Sequence, residues 1–193
     1  MVAVIVASDC EIKKVAFESS DIATHLRAVG VKYEFMNVDG VDCNDFEGTR
    51  CVQPFRASGG IFAAMKGVAA ASVKHYDDTI VIAIENYITE DAKDCVCVVV
   101  NYYDGGRKHE MVSFSPNAYV ASFPEKYLQH LVLTYGNREG FGVTIGEVIN
   151  MEKHLYGGGV SKNWHKLFNP FDHVEQIRGS LNYIADEFKK IVS

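Results

Sequence analysis

The chain has 193 residues, with 19 Lys and Arg against 25 Asp and Glu, for a net charge of −6. Hydrophobic residues at 48% and charged residues at 23% exclude a disordered chain, and the length suits one domain with a real core. The acidic balance excludes a coat for nucleic acid or for an anionic membrane, while leaving room for a local basic pocket around one small anion.

The cysteines, Cys10, Cys43, Cys51, Cys95 and Cys97, number five, so they cannot all pair within the chain. No spacing among them resembles a zinc knuckle, and Cys95-Val-Cys97 sits in an apolar run. Free thiols in a reducing, cytoplasmic compartment are the expectation. No stretch approaches the roughly 18 apolar residues that a membrane span needs.

In chain order, Val2 to Ala7 is a continuous apolar run, the mark of a strand buried on both faces. It is short and Asp9 follows at once, so it reads as a strand and not as a secretion signal. Ser8-Asp9-Cys10 is a turn and helix-capping signal. Val15, Phe17, Ile22 and Leu26 recur at helical spacing up to Gly30, and Val31 to Val38 alternates as a strand does. Residues 39–56 show no period and read as a loop. Gly59-Gly60 opens an Ala-rich helix over Ile61 to His75. Thr79 to Glu85 and Cys95 to Tyr102 are two more buried strands. Asp104-Gly105-Gly106 predicts a hairpin turn into a strand from Lys108 to Phe114. Ser122 to Thr134, Thr144 to His154 and Val174 to Val192 read as helices. The order predicts one mixed α/β domain over residues 1–193, built on a central sheet.

Four places could carry chemistry. Ser8 to Lys13 joins a strand to a helix N-terminus, where unpaired N–H groups favour an anion. Lys13 and Ser8 would add a charge and a hydroxyl, and Cys10 could be a thiol of lowered pKa. The alternative is that Ser8 or Asp9 caps the helix and Lys13 is solvated. Gly59 and Gly60 would let a ligand approach the backbone, or else serve only a turn. Glu85 ends a buried strand and needs a partner; a hard divalent cation shared with Asp94 is one option and a lysine another. Thr144 and Glu147 fit a capping box. His165 and His173 read as surface or satisfied core positions, and nothing resembles a Ser-His-Asp set or a Walker loop.

Taken together, Ala7 to Lys13, Gln53-Pro54-Phe55, Ala83 to Ile88 and Phe114-Ser115-Pro116…Phe123-Pro124 resemble, in order, the non-canonical purine nucleoside triphosphatases of the inosine/xanthosine triphosphatase type. Val143 to Val148 and Val160 to Phe168 are similar to the C-terminal domain of the proline-rich coiled-coil-containing proteins, a relative of the same fold that is not established as an enzyme. The resemblance implies a long, curved mixed sheet with a nucleotide cleft between two lobes. It also implies magnesium-assisted hydrolysis of inosine or xanthosine triphosphate. Carried over by position, Ser8, Cys10, Lys13, Gly59 and Gly60 would face phosphates. Glu85 and Lys13 would be catalytic, and Glu85 and Asp94 would hold magnesium. The family usually carries Asn where this chain has Cys10, and an acidic-Thr pair and an Asn-Arg pair near Ser58-Gly59-Gly60 and Lys66-Gly67. The alternative reading is therefore a degenerate relative that binds a nucleotide or a protein partner without turnover. The resemblance also implies a homodimer.

Overall fold

The structure, a computed structural model, describes residues 3–38, 53–72, 79–104, 107–135, 140–155 and 163–192. The chain begins with β1 (Ala3–Val6), α1 (Glu11–Glu18), α2 (Asp21–Ala28), β2 (Tyr33–Phe35), β3 (Gln53–Pro54) and α3 (Arg56–Ser72). Then come β4 (Thr79–Ile88), β5 (Lys93–Asp104), β6 (Arg107–Phe114), β7 (Ala121–Ser122), α4 (Glu125–Tyr135), β8 (Gly140–Phe141) and α5 (Ile145–Leu155). It ends with α6 (His173–Tyr183) and α7 (Ala185–Val192). The main sheet has six strands in the order β2-β1-β4-β5-β6, with β7 paired to β5. It is mixed: β1 runs parallel to both β2 and β4, whereas β4, β5 and β6 are antiparallel to one another. The α/β class expected from the sequence is observed.

Apolar residues on successive strand positions explain why helices cover both faces. Val4, Val6, Ile80, Ile82, Ile84, Val96, Val98 and Val100 pack with Phe17, Ile22, Leu26, Ile177 and Phe188 from α1, α2, α6 and α7. The alternate positions Ile5, Val81, Ala83, Cys97 and Val99 pack with Ala64, Val68 and Ala71 of α3 on the other face. A further core holds Phe55, Ile88, Phe123, Leu131, Phe141, Ile149 and Trp164, joining α4 and α5 to the far end of β4.

The β4–β5 register is unbroken from Ile80↔Tyr102 to Ile88↔Asp94. Strand β1, in contrast, pairs with β4 only as far as Val6↔Ile82. Residues 83–88 of β4 therefore run on past the point where the chain leaves β1 for α1, and this step leaves room for a cleft. In α/β sheets, ligands sit beyond such carboxyl ends.

Several predicted boundaries move. The periodic stretch from Val15 to Leu26 is two helices: Ser19 is the C-cap of the first, Ser20 caps α2 by accepting from the Ala23 N–H, and Val15 faces solvent. The last predicted helix likewise breaks at Ile184 between α6 and α7. The Ala-rich helix opens earlier, at Arg56, so Gly59 and Gly60 lie within its first turns. Strand β2 is shorter than Val31 to Val38. Gly105-Gly106, where the hairpin turn is expected, lie outside the described residues; beside them Asp104 pairs with Arg107.

Helix α6 approaches the turn at Asn117–Tyr119 through Gly179, where an added Cβ would stand 2.4 Å from Tyr119 Cγ. The obstacle is a whole ring on a short turn. Gly179→Ala is expected to lower stability by about 1–3 kcal/mol, the usual cost of overpacking. Urea denaturation with an unchanged slope would measure it; an unaltered midpoint would mean that the ring moves aside freely.

Candidate functional site

Beyond the end of β1, a cleft of about 500 Å³ is bordered by Cys10, Lys13, Glu85, Asn86, Asp94 and Trp164, among others. Its volume is in the range of small-molecule sites. Cys10 is the N-cap of α1, exposed, and its side chain makes no capping bond, so the first amides of α1 have no side-chain acceptor there. Lys13 reaches across to Glu85, with Nζ 3.0 Å from Oε1 and side-chain exposures of 16% and 30%. A half-buried ion pair of this kind sets a cation and a carboxylate side by side at the cleft wall.

The deeper wall is a polar cluster. Asp94 is 3% exposed, and its Oδ2 lies 2.8 Å from Nε2 of His165, itself 1% exposed. The Asn86 amide donates to both Asp94 carboxylate oxygens at 3.3 Å, and its Oδ1 accepts from His173 Nε2 at 3.1 Å. Gln176 Nε2 donates to the Asp94 carbonyl at 2.8 Å. The His165 ring stacks between neighbours, 3.9 Å from Trp164 and 4.4 Å from His173. Burial, and then the neighbouring His165, push the His173 pKa down to about 4, so its ring is neutral at neutral pH. Local sequence explains the placement. Asp172 and Glu175 form a reciprocal capping box, which fixes His173 as the first residue of α6.

Of the residues named from sequence, Cys10, Lys13, Glu85 and Asp94 border the cleft, and Ser8, Gly59 and Gly60 do not. Ser8 is buried and its hydroxyl accepts the Cys10 N–H at 3.2 Å, a turn contact ahead of α1; the N-cap is Cys10, so neither Ser8 nor Asp9 caps the helix. Gly59 and Gly60 are buried in α3, and a Cβ on Gly60 would stand 2.6 Å from Tyr87 Cδ1. That glycine permits close packing of α3 on β4. Strand alternation also separates the two proposed metal carboxylates. Glu85 follows the parity of Val81 and Ala83, on the α3 face, and Asp94 that of Val96 and Val98, on the α6 face. The capping box at Thr144 and Glu147 is present, with Glu147 Oε2 accepting from the Thr144 N–H at 2.6 Å. His165 and His173, set aside in the sequence reading, belong to the cleft.

The thiols divide by environment. Cys95 and Cys97 are buried on the α3 face, and burial pushes their pKa values up to about 11 and about 12. Cys10 is exposed. Iodoacetamide at pH 8 is expected to alkylate Cys10 and spare Cys95 and Cys97, and raising the pH to about 9 should change little, since neither thiolate forms there. Peptide mapping reads this directly; rapid labelling of Cys97 in the folded protein would contradict it.

No protein-family model matches the chain, and no curated protein matches it. Among solved structures the chain is similar to the crystal structure of protein VC0702 from Vibrio cholerae, at a TM-score of 0.62 and 16% identity, covering 100% of this chain and 98% of that one. At that identity the likeness is one of fold alone. No helix among the described residues is long and apolar enough to cross a membrane.

Proposed function

We propose that the cleft binds the triphosphate of a non-canonical purine nucleotide, such as inosine or xanthosine triphosphate, and hydrolyses it with magnesium, on a fold of the inosine triphosphatase type. The observation that carries this reading is the meeting of Lys13 and Glu85 at 3.0 Å on the wall of the cleft, beside the N-terminus of α1. An arriving phosphate shares the Lys13 ammonium with Glu85 and accepts from the first amides of α1. Glu85, only partly buried, fits a hard cation that takes one protein carboxylate and completes its shell with phosphate oxygens and water. Magnesium, when bound, supplies charge neutralisation along the triphosphate. Glu85 also orients the attacking water by accepting its hydrogen bond. Asp94, the second carboxylate expected from sequence, lies on the opposite face of the strand pair, against two imidazoles, and suits that cation poorly.

A second reading, nucleotide binding without turnover, is favoured by Cys10, which stands exposed at the phosphate loop with no capping bond where the resembled enzymes carry an amide. One assay separates the two. Purified protein is incubated with inosine triphosphate and magnesium, and both phosphate release and nucleotide binding are measured. Metal-dependent release supports hydrolysis, and binding without release supports the second reading. Neither binding nor release would remove both.

A further inference from the structure

We propose that Asp94, His165 and His173 form a separate cation site in the same cleft, one that takes a borderline transition ion of the zinc class and not magnesium. One ring nitrogen from each histidine and one Asp94 carboxylate oxygen lie within 4.8 Å of one another. Ligands at about 2.0–2.2 Å from a zinc-class ion stand about 3.3–3.6 Å apart in a tetrahedron, so small side-chain rotations close the site.

Three further observations point to a ligand there. First, Asp94 is buried, and among the described residues its ion-pair partner is His165, with no lysine or arginine beside it. A buried carboxylate met by a long amide contact and a single imidazole is short of positive charge. Second, His165 Nδ1 is buried without a hydrogen-bond partner among the described residues, an arrangement that is costly unless something uses it. Third, the Asn86 amide oxygen fixes the His173 proton on Nε2, which leaves Nδ1 with its lone pair. A ligating histidine whose other nitrogen donates to a carbonyl is the usual outer-shell arrangement of metal sites. Asn86 serves twice, since its amide nitrogen also orients Asp94.

Ligand chemistry chooses the ion. Magnesium wants an octahedron of oxygens. Two imidazoles and one carboxylate suit zinc, cobalt or nickel, in that they offer borderline nitrogen donors and leave coordination positions open. All three residues border the cleft, so the open position faces it.

The test uses the whole chain and metal alone. Zn²⁺ is titrated against a chromophoric chelator in the presence of excess Mg²⁺, and Co²⁺ absorption reports the ligand type. The expected result is one equivalent of Zn²⁺ bound despite Mg²⁺. Affinity should fall by at least about 100-fold in His173→Gln and in His165→Gln, more than the loss of an outer-shell partner produces. The Cys10→Ser variant and the exposed-histidine control His130→Gln should bind as the parent does. Circular dichroism checks each fold; if His165→Gln misfolds, His173→Gln at the partly exposed position decides alone. Absence of stoichiometric Zn²⁺ binding, equal loss in His130→Gln, unchanged affinity in the folded cleft variants, or displacement by Mg²⁺ would each overturn the site. The outcome is independent of the nucleotide reading, which rests on Lys13 and Glu85 and is scored by binding and hydrolysis of inosine triphosphate.

Discussion

If the cleft hydrolyses inosine triphosphate as proposed, Glu85→Gln is expected to lower that magnesium-dependent turnover by on the order of 100-fold or more while leaving nucleotide binding intact. The reason lies in the ion pair. Glu85 holds Lys13 at 3.0 Å, so the carboxylate competes with an arriving phosphate for the same ammonium. Removing its charge frees Lys13 for the phosphate but takes away the proposed cation ligand and water-orienting group. Lys13→Ala should behave differently. It removes the attraction for phosphate and strands a partly buried Glu85 charge in the cleft, so binding and turnover fall together. The first variant thus lowers kcat with little change in KM, whereas the second affects both. Steady-state kinetics with nucleotide-binding measurements read both effects, and unchanged turnover in both would dismiss this assignment of the residues.

Phe17→Ala is expected to cost about 3–5 kcal/mol, a large share of the stability of an ordinary domain. Phe17 is fully buried between the sheet and the paired helices α1 and α2. Its ring meets Tyr33 at 5.2 Å and Phe35 at 5.8 Å, both edge to face, so it also ties α1 to β2. Helix α1 carries Lys13 one turn earlier on the same short helix, so the variant should lose nucleotide binding when it unfolds and not before. Chemical denaturation followed by far-ultraviolet circular dichroism measures the loss. A change under about 1 kcal/mol would mean that the surrounding core collapses into the space.

The elements that carry their own local signals were legible in the sequence. Strand β4 announces itself by an unbroken apolar run, and Thr144 and Glu147 declare the start of α5 because capping boxes are local chemistry. The break at Ser19–Ser20 was hidden because Phe17, Ile22 and Leu26 keep facing one core across it. Glu85 could be named from the end of a predicted strand, and Lys13 from the first turn of the helix that follows β1. The histidines could not. His165 meets Asp94 across 71 residues of chain, and His173 comes near only through the packing of α6 against β5, which no local pattern records. Gly60 was misread for a related reason. A glycine needed for helix-on-strand contact and one needed for a ligand look alike until the Tyr87 ring is in place.

Trp164 is the chain's single tryptophan, and it stands in the cleft wall, stacked on His165 and edge-on to Phe123. Its emission therefore comes from one place, and that place adjoins a candidate metal ligand. Many transition ions quench indole, so cobalt and an occupied cleft should each leave a distinct mark on the same spectrum. The native protein carries its own optical gauge of the cleft, with no label added.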